Sequence, residues 1–143
     1  VTVTGPSATM GQAPSCVVVE YDLFQTEDVR MAKKQYIMQT GMGADLHGAN
    51  DTTAARRAVK DAIQHNNMLF LKHVGLKSLD QLLVEVIVAS PNPDAVDKEA
   101  VAEDLPVGVV SVQTQSGGML VDADESGDPV LVAIAAVTVS VQE

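Results

Sequence analysis

The stretch Gly41-Met-Gly-Ala-Asp-Leu-His-Gly48 decides how this chain is interpreted. It follows QYIMQT at 35–40, where apolar and polar positions roughly alternate as in a strand, and it precedes a helical pattern. Glycines between a strand and a helix allow positive φ angles and let a ligand approach the backbone closely. We therefore interpret residues 41–48 as a strand-to-helix turn and place any functional site there.

The helix after this turn has the clearest pattern in the sequence. Asn50 and Asp51 supply N-cap chemistry at its start. Its apolar residues recur at i, i+3 and i+4 on one side. They are Ala54, Ala55, Ala58, Val59, Ala62 and Ile63. Because this stripe is largely alanine, we predict that a helix over residues 51–67 lies close against a sheet.

The remaining segments predict a mixed sheet. The predicted strands, besides 35–40, are 16–21, 82–89, 108–115 and 130–141, and a short acidic helix is predicted at 97–104. This order indicates an α+β fold, a two-layer sandwich in which one long and one short helix cover one face of the mixed β-sheet. We expect residues 1–15 to form a flexible tail and residues 16–143 to form a single domain.

The other face of this sheet also needs a cover. Strands 82–89 and 130–141 are apolar on both sides, and two helices can cover only one face. A neighbouring subunit is the economical solution, so we predict a homo-oligomer that assembles through the second face.

Composition excludes several functional classes. The net charge of −10 makes nucleic acid and anionic membranes unfavourable partners. The single cysteine, Cys16, allows neither an internal disulfide nor a zinc site of paired cysteines. No apolar run reaches the roughly 20 residues of a membrane span.

Residues of the glycine turn are the candidates for chemistry. Asp45 and His47 lie two residues apart and would project the same way from an extended segment, as an acid/base pair or as two metal ligands. In the pair, His47 is the general base and Asp45 fixes its tautomer. We expect Gly41, Gly43 and Gly48 to admit a ligand, and Arg56 and Arg57 to clamp an anion there.

A purely structural interpretation of the motif also fits the residues. In it the turn is tight, Asp45 caps backbone amides and His47 is partly buried. The motif is neither a dinucleotide-binding fingerprint nor a phosphate-binding loop, because Leu46 replaces the third glycine and no Gly-Lys-Ser/Thr follows. No cofactor follows from the sequence.

Weaker candidates lie elsewhere in the chain. His65 or His73 could join His47 at a metal, although a helix cap and a loop residue explain them as well. Residues 122–127 match only the first half of a calcium loop, because Ala133 stands at the acidic twelfth position. The Ser116-Gly117-Gly118 segment could present a hydroxyl, but no base is adjacent in sequence.

The motif also resembles that of a known family. Gly41, Gly43, Asp45, His47 and Gly48 match Gly-x-Gly-x-Asp-x-His-Gly, the signature of an uncharacterised family named after a Listeria open reading frame. The likeness extends over about residues 34–141, through AARRAVKDAIQHNN and VEVIVASPNPDAVD. One segment, Ser116-Gly117-Gly118, is similar to that of the ring-opening amidohydrolases, but their pairing of serine with lysine is not evident here.

The family resemblance implies a location in the cell, but it implies little about the function. The family occurs in bacteria and, with an N-terminal extension, in plants, so residues 1–33 resemble the plant-type extension and imply the stroma of a plastid. Without the plant-type extension, the expected location is the cytoplasm. We expect an oligomer that binds a small anionic or carbonyl-containing ligand and is hydrolase-like if a reaction occurs. The alternative is a non-catalytic assembly subunit that recruits another protein, in which the glycine motif is a packing element.

Overall fold

The computed structural model describes residues 33–65, 68–122 and 127–142, which contain a mixed β-sheet and three helices. The strands are β1 (Lys33–Asp45), β2 (Leu82–Ser90), β3 (Val109–Ser116), β4 (Met119–Val121) and β5 (Val130–Gln142). The helices are α1 (Asp51–Gln64), α2 (Leu71–Val74) and α3 (Lys98–Glu103), with single 3-10 turns at Leu79–Gln81 and Pro93–Ala95. The predicted α+β fold is confirmed, whereas the predicted tail at 1–15 and strand at 16–21 lie outside the described residues.

The sheet has the order β1-β5-β2-β3, with β4 added beside the first residues of β5. Strand β5 is antiparallel to both of its long neighbours, and β2 is parallel to β3. A parallel pair needs a crossover connection, and the segment containing α3 supplies it. Strand β4 pairs with residues 130–132 of β5, beyond the point where β2 ends.

The hydrophobic core lies between the sheet and α1 and consists mainly of valine and alanine. The alanine stripe of α1 is fully buried, as its spacing predicts, and Asn50 caps the helix by accepting a hydrogen bond from the Thr53 amide at 3.0 Å. Val110 and Val112 of β3 are also fully buried, whereas Gln115 is exposed. Small branched side chains thus fill the core in place of aromatic rings.

Strand β1 is longer than the sequence indicates. Residues 41–45 were predicted as part of a turn, but they continue the strand, and Gly41 and Gly43 pair with Ala135 and Ala133 of β5. The turn occupies only residues 46–50, where Gly48 has a φ of 85° and Ala49 a φ of 45°. The prediction of positive φ at Gly41 and Gly43 is therefore wrong, because β5 extends far enough to pair with both residues.

The opposite side of the sheet, which α1 and α3 leave uncovered, is here called the open face. It carries exposed apolar side chains along the central and β1 side of the sheet. They include Met42 at 64%, Met38 at 61%, Met119 at 57%, Ile134 at 45%, Val121 at 40% and Ile87 at 39%. Large apolar patches of this kind are typical of interaction surfaces.

Candidate functional site

Gly41 and Gly43 are packing positions beneath α1. A Cβ atom at Gly41 would overlap the backbone of Ala58 and Ala62, and one at Gly43 would overlap that of Ala54 and Ala58. The absence of side chains thus allows the helix backbone to lie directly on β1. The sequence interpretation expected a ligand to approach these two glycines closely. A ligand cannot do so from the helix side, because α1 fills this space.

Asp45, the last residue of β1, stabilises the turn that follows it. Its side chain is buried, and its Oδ2 accepts a hydrogen bond from the Asn50 amide at 2.8 Å. The Arg57 guanidinium lies 3.7 Å from its other oxygen and donates to the Ala44 carbonyl at 2.6 Å. This is the amide-capping role that the structural interpretation of the motif gave to Asp45.

His47 projects away from Asp45 and into solvent, with 86% of its side chain exposed. Its Nδ1 lies 2.9 Å from Oδ2 of Asp128, and Oδ1 of that carboxylate accepts a hydrogen bond from the Gly48 amide at 3.1 Å. His47 was predicted to pair with Asp45, but it pairs with Asp128. The chain bends after β1 and separates the side chains of Asp45 and His47.

The carboxylate of Asp128 holds the imidazole in a chemically useful orientation. The hydrogen bond from Gly48, and after it the His47 side chain, lower the pKa of Asp128, so the group is ionised at neutral pH. An ionised carboxylate accepts hydrogen bonds only, which favours the tautomer with the proton on Nδ1 of His47. The lone pair of Nε2 is then free to face solvent and to accept a proton or a hydrogen bond.

Arg56 does not reach the turn, contrary to its predicted role as an anion clamp. Its Nε and Nη2 donate to the two oxygens of Asp104 at 2.8 and 3.0 Å, and Lys60 approaches the same carboxylate at 3.5 Å. The hydrogen bond from Arg56 is the largest cause of the lowered pKa of Asp104. This bidentate pair joins α1 to the end of α3, and the arginine beside the turn is Arg57.

His65 and Gly117 make contacts with other residues than His47, and residues 123–126 of the calcium-loop candidate lie outside the described residues. His65 lies at the far end of α1, 3.5 Å from Asp61, and the 14 residues of that helix span about 20 Å. Gly117 donates to the Ser90 carbonyl at 3.1 Å, within the turn that joins β3 to β4. Within residues 33–65, 68–122 and 127–142, no group of three or more His, Cys, Asp or Glu could hold a metal ion.

A second polar cluster joins the start of α1 to the end of β2. Asp51 is buried, and its Oδ1 accepts hydrogen bonds from the Ser90 hydroxyl at 2.5 Å and from the Asn92 amide at 3.0 Å. The sequence indicated Asp51 only as part of the helix cap. All three groups are satisfied by one another, so this cluster fixes the helix and presents nothing to a ligand.

The pair of His47 and Asp128 lies where the end of β1 meets the start of β5. Ala44, Val132 and Met119 form one row across the sheet at that end, and the next row contains Met42 and Ile134. These two rows are the part of the open face at that end of the sheet. The arrangement combines one oriented imidazole with a hydrophobic surface.

Comparison with known proteins supports the resemblance to an uncharacterised family that was noted from the sequence. The model of a family described as "conserved hypothetical protein (Lin0512_fam)" matches residues 35–139. A crystal structure of an FtsZ-like protein of unknown function from Nostoc punctiforme is similar, with 40% identity and a TM-score of 0.70. The match covers 78% of this chain and 98% of that one. A search of curated proteins gave no match.

In the part of the chain that the structure describes, no helix combines the length and the apolar character that crossing a bilayer requires.

Proposed function

Taking the chain as a member of the Lin0512 family of conserved hypothetical proteins, to which it belongs, we propose that it binds a small molecule as a homo-oligomer, at a site centred on His47. The observation that carries the proposal is the 2.9 Å contact between Nδ1 of His47 and Asp128. This contact orients an imidazole that is otherwise exposed, as carboxylates hydrogen-bonded to functional histidines do in other proteins.

Charge and polarity around His47 suggest the class of ligand. The sequence indicated either an anionic or a carbonyl-containing ligand. Asp128 lies against the imidazole, and the chain has a net charge of −10, so an anion would be repelled. A neutral carbonyl compound with an N–H or O–H group fits better, because it can donate to Nε2 without bringing a second negative charge close to Asp128.

The same geometry supports general-base chemistry if a reaction occurs. Nε2 would take a proton from the bound N–H or O–H group or from water. Asp128 would then stabilise the charged imidazole without accepting the proton itself, as in other carboxylate–histidine pairs. Asp128 thus takes the orienting role that the sequence had given to Asp45.

The open face supports the oligomeric part of the proposal. Met42, Ile134 and Met119 are uncharged and exposed, and covering them in a second copy would remove apolar surface from water. Glu85, the acidic residue of β2, is neutralised by Lys33 at 2.6 Å. The acidic side chain that the described part of β2 contributes to this face is therefore paired, which favours contact between two copies despite the net charge of each chain.

The test is ligand binding by the full chain and by His47→Ala. Binding would be screened by ligand-observed NMR with two sets of fragments, neutral carbonyl compounds and carboxylates. We expect neutral carbonyl fragments to bind the wild type and to lose binding in His47→Ala, with the melting temperature nearly unchanged. His65→Ala is the matched control, because it also removes an exposed histidine beside an aspartate. Unaltered fragment binding by His47→Ala would overturn the proposal.

A second candidate function is a non-catalytic assembly subunit that recruits another protein. Two observations favour it: Gly41 and Gly43 serve helix packing, and the open face is apolar. In that case neither fragment set would bind the wild type, while the oligomer would still form. The NMR screen combined with a mass measurement in solution therefore distinguishes the two functions.

The plastid location remains part of the proposal. It is supported by the resemblance to the plant-type members of the family and by the 40% identity to a cyanobacterial protein. Imaging of the full-length protein fused to a fluorescent reporter in plant cells would test it, and a signal spread through the cytosol would contradict it.

A further inference from the structure

The turn that carries His47 has a backbone conformation that needs support from its surroundings. Gly48 has a φ of 85° and Ala49 a φ of 45°, and the second value lies in the left-handed region that alanine disfavours. The side chain of Ala49 is partly buried against the hydrophobic core. A residue in this region keeps its conformation only where the structure around it fixes it. The contacts on either side of the turn therefore determine how His47 is presented.

Asp45 closes the base of this turn. Its Oδ2 accepts the hydrogen bond from the amide of Asn50 at 2.8 Å, so one carboxylate joins the residue before the turn to the last residue of the turn. Arg57 of α1 fixes the same end of β1. Its Nη1 donates to the Ala44 carbonyl at 2.6 Å and lies 3.7 Å from Oδ1 of Asp45. The carboxylate of Asp45 is thus held between the turn and the helix.

Asp128 holds the other side of the turn. Its two oxygens contact Nδ1 of His47 at 2.9 Å and the Gly48 amide at 3.1 Å. Both contacts form only if the turn presents the imidazole and the Gly48 N–H to one carboxylate at the same time. A single residue, Leu46, separates Asp45 from His47. A change at the base of the turn therefore reaches the imidazole through the backbone.

We propose that Asp45 is a positioning residue for His47 and acts through the backbone of the turn, without touching the imidazole. Arg57 assists by holding the end of β1 and the Asp45 carboxylate against α1. With the base of the turn closed, the His47 ring and the Gly48 amide meet Asp128 together. The effect of Asp45 on ligand binding rests on the proposed function, whereas its effect on the imidazole is measured without a ligand.

The test is Asp45→Ala in the full chain. Nitrogen-15 spectra of the ring, taken in alkaline solution where the imidazole is neutral, report the tautomer of His47, and hydrogen exchange reports the Gly48 amide. We expect the preference for the proton on Nδ1 to weaken. Gly48 should exchange about tenfold faster, the effect of losing roughly one hydrogen bond from a local structure. Neutral carbonyl fragments that bind the wild type should bind this variant more weakly.

Asp104→Ala is the matched control. Asp104 is also a nearly buried aspartate beside an arginine of α1, but it pairs with Arg56 and joins α1 to the end of α3. Its loss should lower the melting temperature and leave both the His47 signals and the Gly48 exchange unchanged. A second variant, Arg57→Gln, alters a side chain that is 53% exposed, so we expect it to fold. It should shift the His47 signals in the same direction as Asp45→Ala, by a smaller amount.

The proposal is overturned if Asp45→Ala or Arg57→Gln folds and keeps the wild-type His47 signals and Gly48 exchange. It is also overturned if Asp104→Ala changes them as much as Asp45→Ala does, because lower stability alone would then explain the effect. Should Asp45→Ala fail to fold, Arg57→Gln decides by the same criterion. A shift of the His47 signals in a protein that binds no fragment would support the positioning role and contradict the proposed ligand binding.

Discussion

Gly41 of β1 lies so close to Ala58 of α1 that a methyl group on the glycine would overlap the alanine carbonyl oxygen. Gly43 has the same relationship with the next turn of the helix, at Ala54 and Ala58. The two glycines thus set the distance between helix and sheet. The turn that carries His47 joins those two elements, so its position depends on this packing.

A methyl group at Gly43 is therefore expected to destabilise the fold. Gly43→Ala should lower the free energy of unfolding by about 3 kcal/mol, the upper part of the usual range for overpacking, because the overlapped atoms are helix backbone and cannot change rotamer. Urea denaturation measures the effect. Ala44→Val is the control, since it adds bulk at the next residue but on the open face, and should change stability by less than about 0.5 kcal/mol. Equal effects of both changes would contradict the packing role.

The sequence predicted α1 closely, because its signals are local. The cap at Asn50 and the alanine stripe depend on residues within a few positions of one another. The glycines were placed in a turn because Gly-x-Gly fits a turn and a close helix contact equally well. Only the pairing with β5, which is distant in sequence, distinguishes the two, and it extends β1 to Asp45.

The partner of His47 could not be predicted for the same reason. Asp128 lies 81 residues from His47 and follows an acidic segment that suggested a solvated turn. Its position depends on the antiparallel pairing of β1 and β5, which brings the residues after β1 beside those before β5. Among candidates close in sequence, Asp45 was the natural choice, but the bend after it directs the two side chains apart.

The tautomer of His47 provides a direct test of its contact with Asp128. In the wild type we expect the proton on Nδ1, because the carboxylate 2.9 Å away accepts it. Asp128→Ala should remove this preference and shift the nitrogen-15 signals of the ring towards the other tautomer. His65, in the same spectra, serves as the internal reference and should not change. An unaltered His47 spectrum in Asp128→Ala would show that the contact does not orient the ring.

A charge on the open face should prevent the proposed contact between copies on that side. Ile134 is 45% exposed at the centre of the apolar patch, so Ile134→Lys would place like charges and unsatisfied ammonium groups in a buried interface. We expect the sedimentation mass to fall to half or less of the wild-type value. Leu79→Lys, at another exposed apolar position outside the sheet, should leave the mass unchanged. A wild-type mass for Ile134→Lys would exclude this face as an interface.

The bidentate pair between Arg56 and Asp104 should make stability depend on pH in the acid range. The pKa of Asp104 is lowered in the folded chain. The ionised carboxylate therefore stabilises the fold fully above the ordinary aspartate pKa, about 3.9, and this stabilisation is lost as the pH falls through the pKa of Asp104 in the folded chain. Asp104→Asn should therefore unfold at a lower temperature than the wild type at pH 7, and the difference should shrink below pH 4. Thermal scans across this range measure it, and a difference that is constant with pH would contradict the assignment.

The hydroxyl of Ser90 should contribute to the stability of the fold, because it donates a hydrogen bond to a buried carboxylate. Ser90 is fully buried and donates to Asp51 at 2.5 Å, at the first turn of α1. Ser90→Ala leaves Oδ1 of Asp51 with the Asn92 amide as its hydrogen-bond donor. It should lower the free energy of unfolding by about 1.5–3 kcal/mol, the usual value for a hydrogen bond to a charged group. Ser116, its partner in register on β3, is exposed, and Ser116→Ala should have almost no effect. If the two variants unfold at the same urea concentration, the bond between β2 and α1 does not stabilise the fold.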